Sequence, residues 1–239
     1  MATVAGVREE TPAARTIVLD VPGWTGHAPG QHVDVRLTAA DGYSTQRSYS
    51  IASAPRGEQI ELTVVAIAEG EVSPYLTQVL RAGDQVELRG PIGGWFVWRP
   101  GRPDPVLLVA GGSGLVPLMA MIRTRAVAAS QAPFRLVCSA REPAWVLYRE
   151  ELRQRAGAGS GLAVTYAFTR VTPPGSARPA GRIDADLLTA AGWTPGDAPD
   201  VFVCGPTGFV EAAATLLVDI GHSPQRIKTE RFGPTGGSL

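Results

Sequence analysis

The sequence predicts an antiparallel β-barrel or sandwich in the first hundred residues, followed by an α/β domain built on a parallel sheet. Short β-branched runs separated by turn residues fill the first part, which is typical of antiparallel sheets. Nearly continuous apolar runs alternating with helical patterns fill the second part, which is typical of a parallel sheet covered on both faces. Prolines and glycines crowd between residues 100 and 105, where we expect a linker.

Strands and one short helix are predicted before the linker. Turn residues such as Pro22-Gly23 separate the strands, as in chains that reverse direction sharply. Ser73 is the expected N-cap of the helix and Pro74 its first residue, because these types suit those positions. The predicted strands are 15–21, 31–37, 47–52, 60–67 and 85–89, and the helix is 73–80.

Strands and helices alternate after the linker. Parallel sheets of this kind bind ligands at the carboxyl ends of their strands, where loops meet helix N-termini. The candidate motifs of this half lie at those loops. The predicted strands are 106–110, 135–138, 163–168, 201–204 and 226–229. One predicted helix begins near Leu115, a second covers 146–155, a third begins at Asp184 and a fourth covers 209–220.

Composition excludes several classes of protein. The 239 residues are 44% hydrophobic and 18% charged, which predicts a folded chain. Lys plus Arg and Asp plus Glu number 22 each, so nucleic acid is not an expected partner. Cys138 and Cys204 lie far apart in sequence and match neither a disulfide framework nor the paired spacing of a metal motif. With neither a signal peptide nor an apolar membrane span in the sequence, we expect a cytoplasmic protein with no membrane partner and no metal.

A glycine turn follows the first predicted parallel strand. Gly111-Gly112-Ser113-Gly114 separates that strand from a helix, and in this geometry backbone N–H groups and the helix dipole can face a pyrophosphate. No Gly-Lys-Ser/Thr follows, so it is not a P-loop. Pro117 replaces the third glycine of the dinucleotide fingerprint. A tight turn without a ligand is the alternative.

A cysteine ends another parallel strand. Cys204-Gly205-Pro206 closes the strand, and a predicted helix follows. A buried cysteine is more often a small apolar residue than a functional one. Because it occurs in the same predicted sheet as the glycine turn, the other candidate nucleotide loop, a functional role for Cys204 is favoured.

Together with Arg47-Ser48-Tyr49-Ser50, these motifs make the chain resemble the ferredoxin–NADP reductase family over nearly its whole length. The residue types of the tetrapeptide suit a flavin, since a guanidinium forks onto phosphate, an aromatic ring stacks and a hydroxyl bonds. The resemblance implies that Arg47 reaches the flavin phosphates, Tyr49 stacks on the isoalloxazine and Ser50 lies near its N5. It also implies a flavin-binding antiparallel β-barrel domain at 1–100 and a Rossmann-like nucleotide domain at 104–239.

A second flavin segment is implied at Gly70-Glu71-Val72-Ser73, where backbone N–H groups and the serine would hold the pyrophosphate. Val64, on the preceding strand, belongs to the same implied set. Residues 89–93 resemble the segment that closes the flavin domain in the family. FAD is favoured over FMN.

Ser139, Arg141, Arg170 and Arg182 are candidates for binding the 2′-phosphate of NADPH. A dianion calls for arginines and hydroxyls, whereas a free ribose prefers an acid. The resemblance implies such arginines at similar places, so NADPH is favoured over NADH. Solvated surface arginines are the alternative.

The resemblance further implies that Gly112, Gly114 and Pro117 bind the nicotinamide nucleotide, and that Cys204-Gly205-Pro206 lies beside the nicotinamide. Phe232 is the candidate cover of the flavin face and Glu230 the candidate proton relay. Ser50, Cys204 and Glu230 are the expected catalytic residues.

The expected activity is hydride transfer from NAD(P)H to bound FAD, followed by electron delivery to a separate redox protein such as a ferredoxin, a flavodoxin or an oxygenase component. One alternative is a reductase of free flavin or ferric chelates. An alternative of another class is a non-catalytic, nucleotide-binding regulatory subunit.

Overall fold

The computed structural model describes residues 1–39, 41–67, 69–157 and 159–233. The chain divides into two compact units, Met1–Pro100 with Met119–Ala129 and Gly101–Leu118 with Ser130–Leu239. Because 119–129 cluster with the first unit, the assignment of 104–239 to one nucleotide domain stays a prediction. The predicted fold class is confirmed, with an antiparallel sheet in one unit and a parallel sheet in the other.

The first unit is a six-stranded antiparallel barrel. Its strands run in the order β4-β3-β6-β1-β2-β5, and a bridge between Ile51 and Leu62 joins the two ends of this order. Buried aliphatic residues such as Val33, Val35 and Leu19 fill the interior. The strands are β1 (Ala2–Thr11), β2 (Ala14–Asp20), β3 (His32–Thr38), β4 (Ser44–Ser50), β5 (Gln59–Val65) and β6 (Gln85–Ile92).

Strand β1 is absent from the prediction. Its second half is charged, and such a run does not resemble a strand in isolation. Pairing decides the structure, since β1 lies between β6 and β2. The charged side chains find partners there: Arg8 Nη2 donates to a Glu61 oxygen at 3.2 Å, and a Glu10 oxygen accepts from Thr16 Oγ1 at 2.8 Å.

The short helix of this unit differs from the prediction at its start. α1 (Val72–Pro74) continues into a π-helical turn at Tyr75–Val79, and Glu71 is the N-cap. The prediction of Ser73 as N-cap is therefore wrong. Ser73 lies inside the helix, and its hydroxyl instead accepts from the backbone N–H of Ile67 at 3.1 Å, which fixes the loop before the helix.

The second unit is a five-stranded parallel sheet in the order β11-β10-β7-β8-β9. Leu107, Val109 and Val203 pack on one face with Val210 and Leu217 from the last helix. The strands are β7 (Val106–Gly111), β8 (Phe134–Ala140), β9 (Leu162–Phe168), β10 (Asp200–Pro206) and β11 (Ile227–Phe232), and the helices are α2 (Leu115–Val127), α3 (Arg149–Arg155), α4 (Ala185–Ala191) and α5 (Thr207–Asp219).

Two boundaries in this unit differ from the prediction by three residues, and the others differ by two residues or fewer. α3 begins at Arg149 rather than at 146, because Tyr148 has a left-handed backbone with φ 53°. β11 extends to Phe232 rather than 229, because parallel pairing with β10 continues to that residue. Among the described helices, none has the length and apolar character needed to cross a membrane.

Candidate functional site

The predicted flavin motif lies on β4, where successive side chains point to opposite faces. Tyr49 and Arg47 are in register with Val33 and Val35 of β3, which face the barrel interior. Ser48 lies on the other face and donates to an Asp34 oxygen at 2.6 Å. The structure therefore brings Arg47 and Tyr49 together and separates Ser48 from them.

Tyr49 offers a neutral aromatic surface. Its ring is half-buried against the barrel core, and burial raises the pKa of its hydroxyl to about 12, with the Arg47 charge acting in the opposite direction. Arg47 is exposed and donates to the Gln46 carbonyl at 2.7 Å, so its guanidinium keeps further donors for an anion. A ring that stacks and an arginine one side chain away suit an isoalloxazine and its phosphates.

Ser50 ends β4 with a buried hydroxyl. In the part of the chain that the structure describes, its Oγ has no hydrogen-bond partner. Such an atom is costly in a folded protein unless a bound group satisfies it. His32 of β3 is in register with Ser50 and was missed by the sequence analysis, because the signal that links them is strand pairing rather than spacing.

The second flavin segment forms a tight loop before α1. A Cβ at Gly70 would lie 3.1 Å from Ser73 Oγ and 3.2 Å from the Ile67 carbonyl oxygen, so the loop is closed by contacts that favour glycine. The exposed Glu71 accepts from the Tyr43 hydroxyl at 3.2 Å. Val72 is buried, so its side chain is directed into the barrel rather than towards a ligand.

Val64 is fully buried in the barrel core and pairs with Arg15 across β2. Its side chain is enclosed by protein, so a contact with flavin could involve only its backbone. Ser50 and Tyr49 remain the two residues whose geometry fits a flavin best.

In the second unit, two loops meet at the carboxyl ends of β7 and β10. A Cβ at Gly114 would overlap the Cys204 carbonyl oxygen and lie 2.6 Å from the Gly205 nitrogen. A Cβ at Gly111 would lie 2.7 Å from the Phe209 ring. These glycines are therefore required for the close approach of the loops.

The turn itself is open on one side. Gly112 has φ 54°, in the left-handed region, and a Cβ there would meet nothing within 4 Å. Residues Gly112–Gly114 form one tight helical turn that leads into α2, and Pro117 lies in the first turn of that helix, where the missing N–H of proline costs nothing. An open glycine turn before a helix N-terminus fits a pyrophosphate.

Cys204 and Glu230 are neighbours on adjacent parallel strands. They are in register on β10 and β11, as are Pro206 and Phe232 two residues further on. Burial raises the pKa of the Glu230 carboxyl to about 7. Burial, reinforced by the Glu230 charge, raises the pKa of the Cys204 thiol well above its usual range, so Cys204 is a neutral thiol. Two predicted catalytic residues thus lie side by side.

The three candidate arginines follow the ends of β8 and β9, and their backbones are joined there. The Arg170 N–H donates to the Arg141 carbonyl at 2.9 Å, and the Gly181 N–H, next to Arg182, donates to the Phe168 carbonyl at 2.8 Å. We call Arg141, Arg170 and Arg182 the arginine corner. All three are exposed, and in the described ranges none of their guanidinium groups forms an ion pair. Ser139 is buried and in register with Gly111, closer to the glycine turn.

Comparison with known proteins identifies the class of both units. Residues 7–97 match the oxidoreductase FAD-binding domain family, and residues 108–215 match the oxidoreductase NAD-binding domain family. One component of the 1,2-phenylacetyl-CoA epoxidase of Escherichia coli K12 is 30% identical over 244 residues, which cover 98% of this chain and 68% of that protein. The chain belongs to the ferredoxin–NADP reductase-like family. It is an FAD-dependent NAD(P)H oxidoreductase.

Other members of this reductase family are similar over the same length. The ferredoxin–NAD(P)⁺ reductase component of the naphthalene 1,2-dioxygenase/salicylate 5-hydroxylase systems of Ralstonia sp is 28% identical, over 98% of this chain and 69% of that protein. The crystal structure of the flavohem-like FAD/NAD binding domain of nitric oxide dioxygenase from Vibrio cholerae O1 biovar El Tor superposes with a TM-score of 0.85 at 25% identity, covering 98% of both chains.

Residues 234–239 of this reductase, which come shortly after Phe232, lie outside the described residues. The assignment of Phe232 as a flavin cover and of Glu230 as a relay stays a prediction. What the fold establishes is that Glu230 is half-buried next to Cys204 on the sheet.

The raised pKa of Glu230 predicts a pH-dependent stability. Between its ordinary value of 4.5 and about 7, the folded state retains a proton that the unfolded state has lost, so stability falls as pH rises through this window. Below the window this group costs no stability, and above it the full loss stays constant with pH. Glu230→Gln removes the titrating group. We measure the melting temperatures of wild type and Glu230→Gln by thermal unfolding at several pH values. The wild-type value minus the variant value is expected to fall as the pH rises from 5 to 8. Parallel melting curves over that range would contradict the assigned pKa.

Proposed function

We propose that this reductase takes hydride preferentially from NADPH and delivers electrons to a separate redox protein, such as a ferredoxin, a flavodoxin or an oxygenase component. The observation that carries the proposal is the arrangement at the carboxyl edge of the parallel sheet. There the Cys204–Glu230 pair, the open glycine turn and the arginine corner all belong to one unit. We also propose a reducing compartment such as the cytoplasm, because both cysteines are free and buried.

FAD, when bound, supplies a ring system that accepts a hydride from NAD(P)H and releases electrons one at a time. The chain's own residues bind and orient. Arg47 presents a guanidinium for phosphate, Tyr49 a half-buried ring face and Ser50 a buried hydroxyl with free bonding capacity. Ser50 supports the assignment best, since a bound ligand can supply the hydrogen bond that its hydroxyl lacks within the described chain.

Cys204 and Glu230, at the proposed nicotinamide site, have different roles. Because its thiol stays protonated, Cys204 acts as a compact, polarizable wall rather than as a base or nucleophile. Glu230, with a pKa of about 7, can hold or release a proton at neutral pH. In this proposal Cys204 positions the nicotinamide, and Glu230 adjusts the charge beside it.

The preference for NADPH rests on the arginine corner. Arginines engaged elsewhere are tied to acids: Arg178 bonds an Asp184 oxygen at 2.6 Å, and Arg153 bonds a Glu150 oxygen at 2.6 Å. The corner arginines keep their donors available for a phosphate dianion. A ribose without phosphate gains nothing from such a charge cluster.

The separate acceptor rests on the relatives. The proteins from Ralstonia and Escherichia coli are named as a reductase component and as a subunit of multicomponent systems. A similar role for this chain agrees with its matches to the FAD-binding and NAD-binding families.

Anaerobic stopped-flow reduction of the FAD-loaded protein tests the donor. We expect the flavin absorbance to bleach with a higher kcat/KM for NADPH than for NADH. Arg170→Ala should lower kcat/KM for NADPH by about tenfold, since it removes a hydrogen bond to a charged group. Arg153→Ala, which removes an exposed arginine tied to Glu150, is the matched control and should leave the preference intact.

A higher efficiency with NADH would overturn the donor assignment and leave the oxidoreductase activity standing. The acceptor is tested separately by steady-state turnover with a ferredoxin, with free flavin and with a ferric chelate. Turnover of the small acceptors that matches or exceeds turnover of the protein acceptor would favour the alternative function and contradict the proposed one.

A further inference from the structure

Trp145 contacts both residues that follow β8. The Arg141 guanidinium lies over its indole ring, 5.3 Å from the centroid. The Trp145 indole N–H donates to Glu142 Oε1 at 2.8 Å. The ring is carried by a single tight turn, Pro143–Trp145, whose N-cap is Glu142. One side chain therefore holds a cation on its face and an anion at its edge.

This arrangement separates two opposite charges that are adjacent in sequence. Arg141 and Glu142 form no ion pair within the described ranges. The indole face attracts the guanidinium, and the indole N–H holds the carboxylate. Because Trp145 holds the Glu142 carboxylate at its indole N–H, that carboxylate does not occupy the hydrogen-bond donors of Arg141.

We propose that Trp145 is the positioning residue that sets the preference for a 2′-phosphate, by keeping Glu142 from neutralising Arg141. This inference rests on the NADPH preference proposed above. Trp145 acts through Arg141 and need not touch the nucleotide itself.

Two substitutions separate the two contacts. Trp145→Phe keeps an aromatic face for Arg141 and removes the N–H that holds Glu142, whereas Trp145→Leu removes both. Glu142→Gln keeps an oxygen that can accept from the indole and removes the negative charge. If the released carboxylate causes the loss of 2′-phosphate affinity, adding Glu142→Gln must restore that affinity fully in Trp145→Phe. It must restore it only in part in Trp145→Leu, because that variant also lacks the aromatic face for Arg141.

The test is calorimetric binding of adenosine 2′,5′-bisphosphate and of adenosine 5′-monophosphate to the FAD-loaded full chain. The ratio of the two affinities isolates the 2′-phosphate. We expect Trp145→Phe to lower the affinity for the bisphosphate by about three- to fivefold, as an exposed competing ion pair would, and Trp145→Leu by about tenfold. In steady-state kinetics the loss should appear as a higher KM for NADPH rather than a lower kcat.

Trp193→Phe is the matched control. It removes another indole N–H from the same unit, which donates to the Val106 carbonyl at 3.2 Å at the opposite ends of the strands. Its affinity ratio should equal that of wild type. This control accounts for any general loss of stability from replacing a tryptophan.

The outcomes are distinguishable. A wild-type chain that binds both ligands equally defeats the NADPH preference and this inference with it. A wild-type preference that Trp145→Phe and Trp145→Leu leave unchanged, or a Trp145→Phe defect that Glu142→Gln does not repair, overturns the role of Trp145 and leaves the proposed function standing. Restoration of the wild-type ratio in the Trp145→Phe/Glu142→Gln double variant supports it.

Discussion

A methyl group added at Gly114 is expected to weaken nicotinamide nucleotide binding strongly while FAD remains bound. The new Cβ would overlap the Cys204 carbonyl oxygen and approach the Gly205 nitrogen to 2.6 Å. Both are backbone atoms, so no flexible side chain can move aside. Gly114→Ala should cost about 3 kcal/mol of stability in the second unit and reduce NADPH affinity by about 100-fold, as measured by thermal unfolding and by equilibrium binding.

Gly196→Ala is the control for this prediction. It lies in the same unit, and its Cβ would meet only Thr194 Oγ1 at an ordinary 3.7 Å. We expect nearly unchanged melting and binding. Wild-type NADPH affinity in Gly114→Ala would show that the two loops are not held as close as the structure places them.

Ser50→Ala is expected to make the FAD-free protein more stable and the enzyme slower. The Ser50 hydroxyl is buried and, over the described ranges, lacks a hydrogen-bond partner, so removing it should stabilise the FAD-free fold by about 1 kcal/mol. If the hydroxyl bonds the reacting region of the flavin, its loss should slow FAD reduction by about 100-fold, the usual effect of deleting one positioned donor. Chemical denaturation and stopped-flow reduction measure the two effects.

Ser53→Ala has the opposite signature and serves as the comparison. Its Oγ accepts from the Glu61 N–H at 3.1 Å, so its removal leaves a donor unpaired and should destabilise the barrel by about 1 kcal/mol with flavin reduction unchanged. A Ser50→Ala variant that behaves like Ser53→Ala would remove Ser50 from the reaction.

The flavin motif illustrates how far residue patterns can predict a site. Arg47, Tyr49 and Ser50 were identified through the resemblance of their tetrapeptide to the flavin motif of the family, and their chemical types suit a flavin. The period of two along β4 then places Ser48 on the other face, where it donates to Asp34. His32 enters only through its register with Ser50, since pairing between distant segments leaves no local signal.

The nucleotide motifs show the same division. Gly112, Gly114 and Cys204 are recognisable in sequence because each lies close to the point where a strand leads into a turn or a helix. That Gly114 packs on the Cys204 backbone, and that Glu230 lies beside Cys204, depends on the order β11-β10-β7. In this order β10 pairs with β7, the first strand of the sheet, and β11 pairs with β10.

Local patterns were therefore enough to predict the fold class and the glycine turn, because turn residues, β-branched runs and helix starts act over a few neighbours. Most candidate site residues came from the resemblance of short motifs to those of the family. Long-range pairing determined what remained. It made a strand of the charged β1 by supplying partners for Arg8 and Glu10. It also raised the pKa of Glu230 by burial and left the Ser50 hydroxyl enclosed without a partner in the described chain. Burial and register are properties of segments far apart in sequence, so they arise only when the chain has folded.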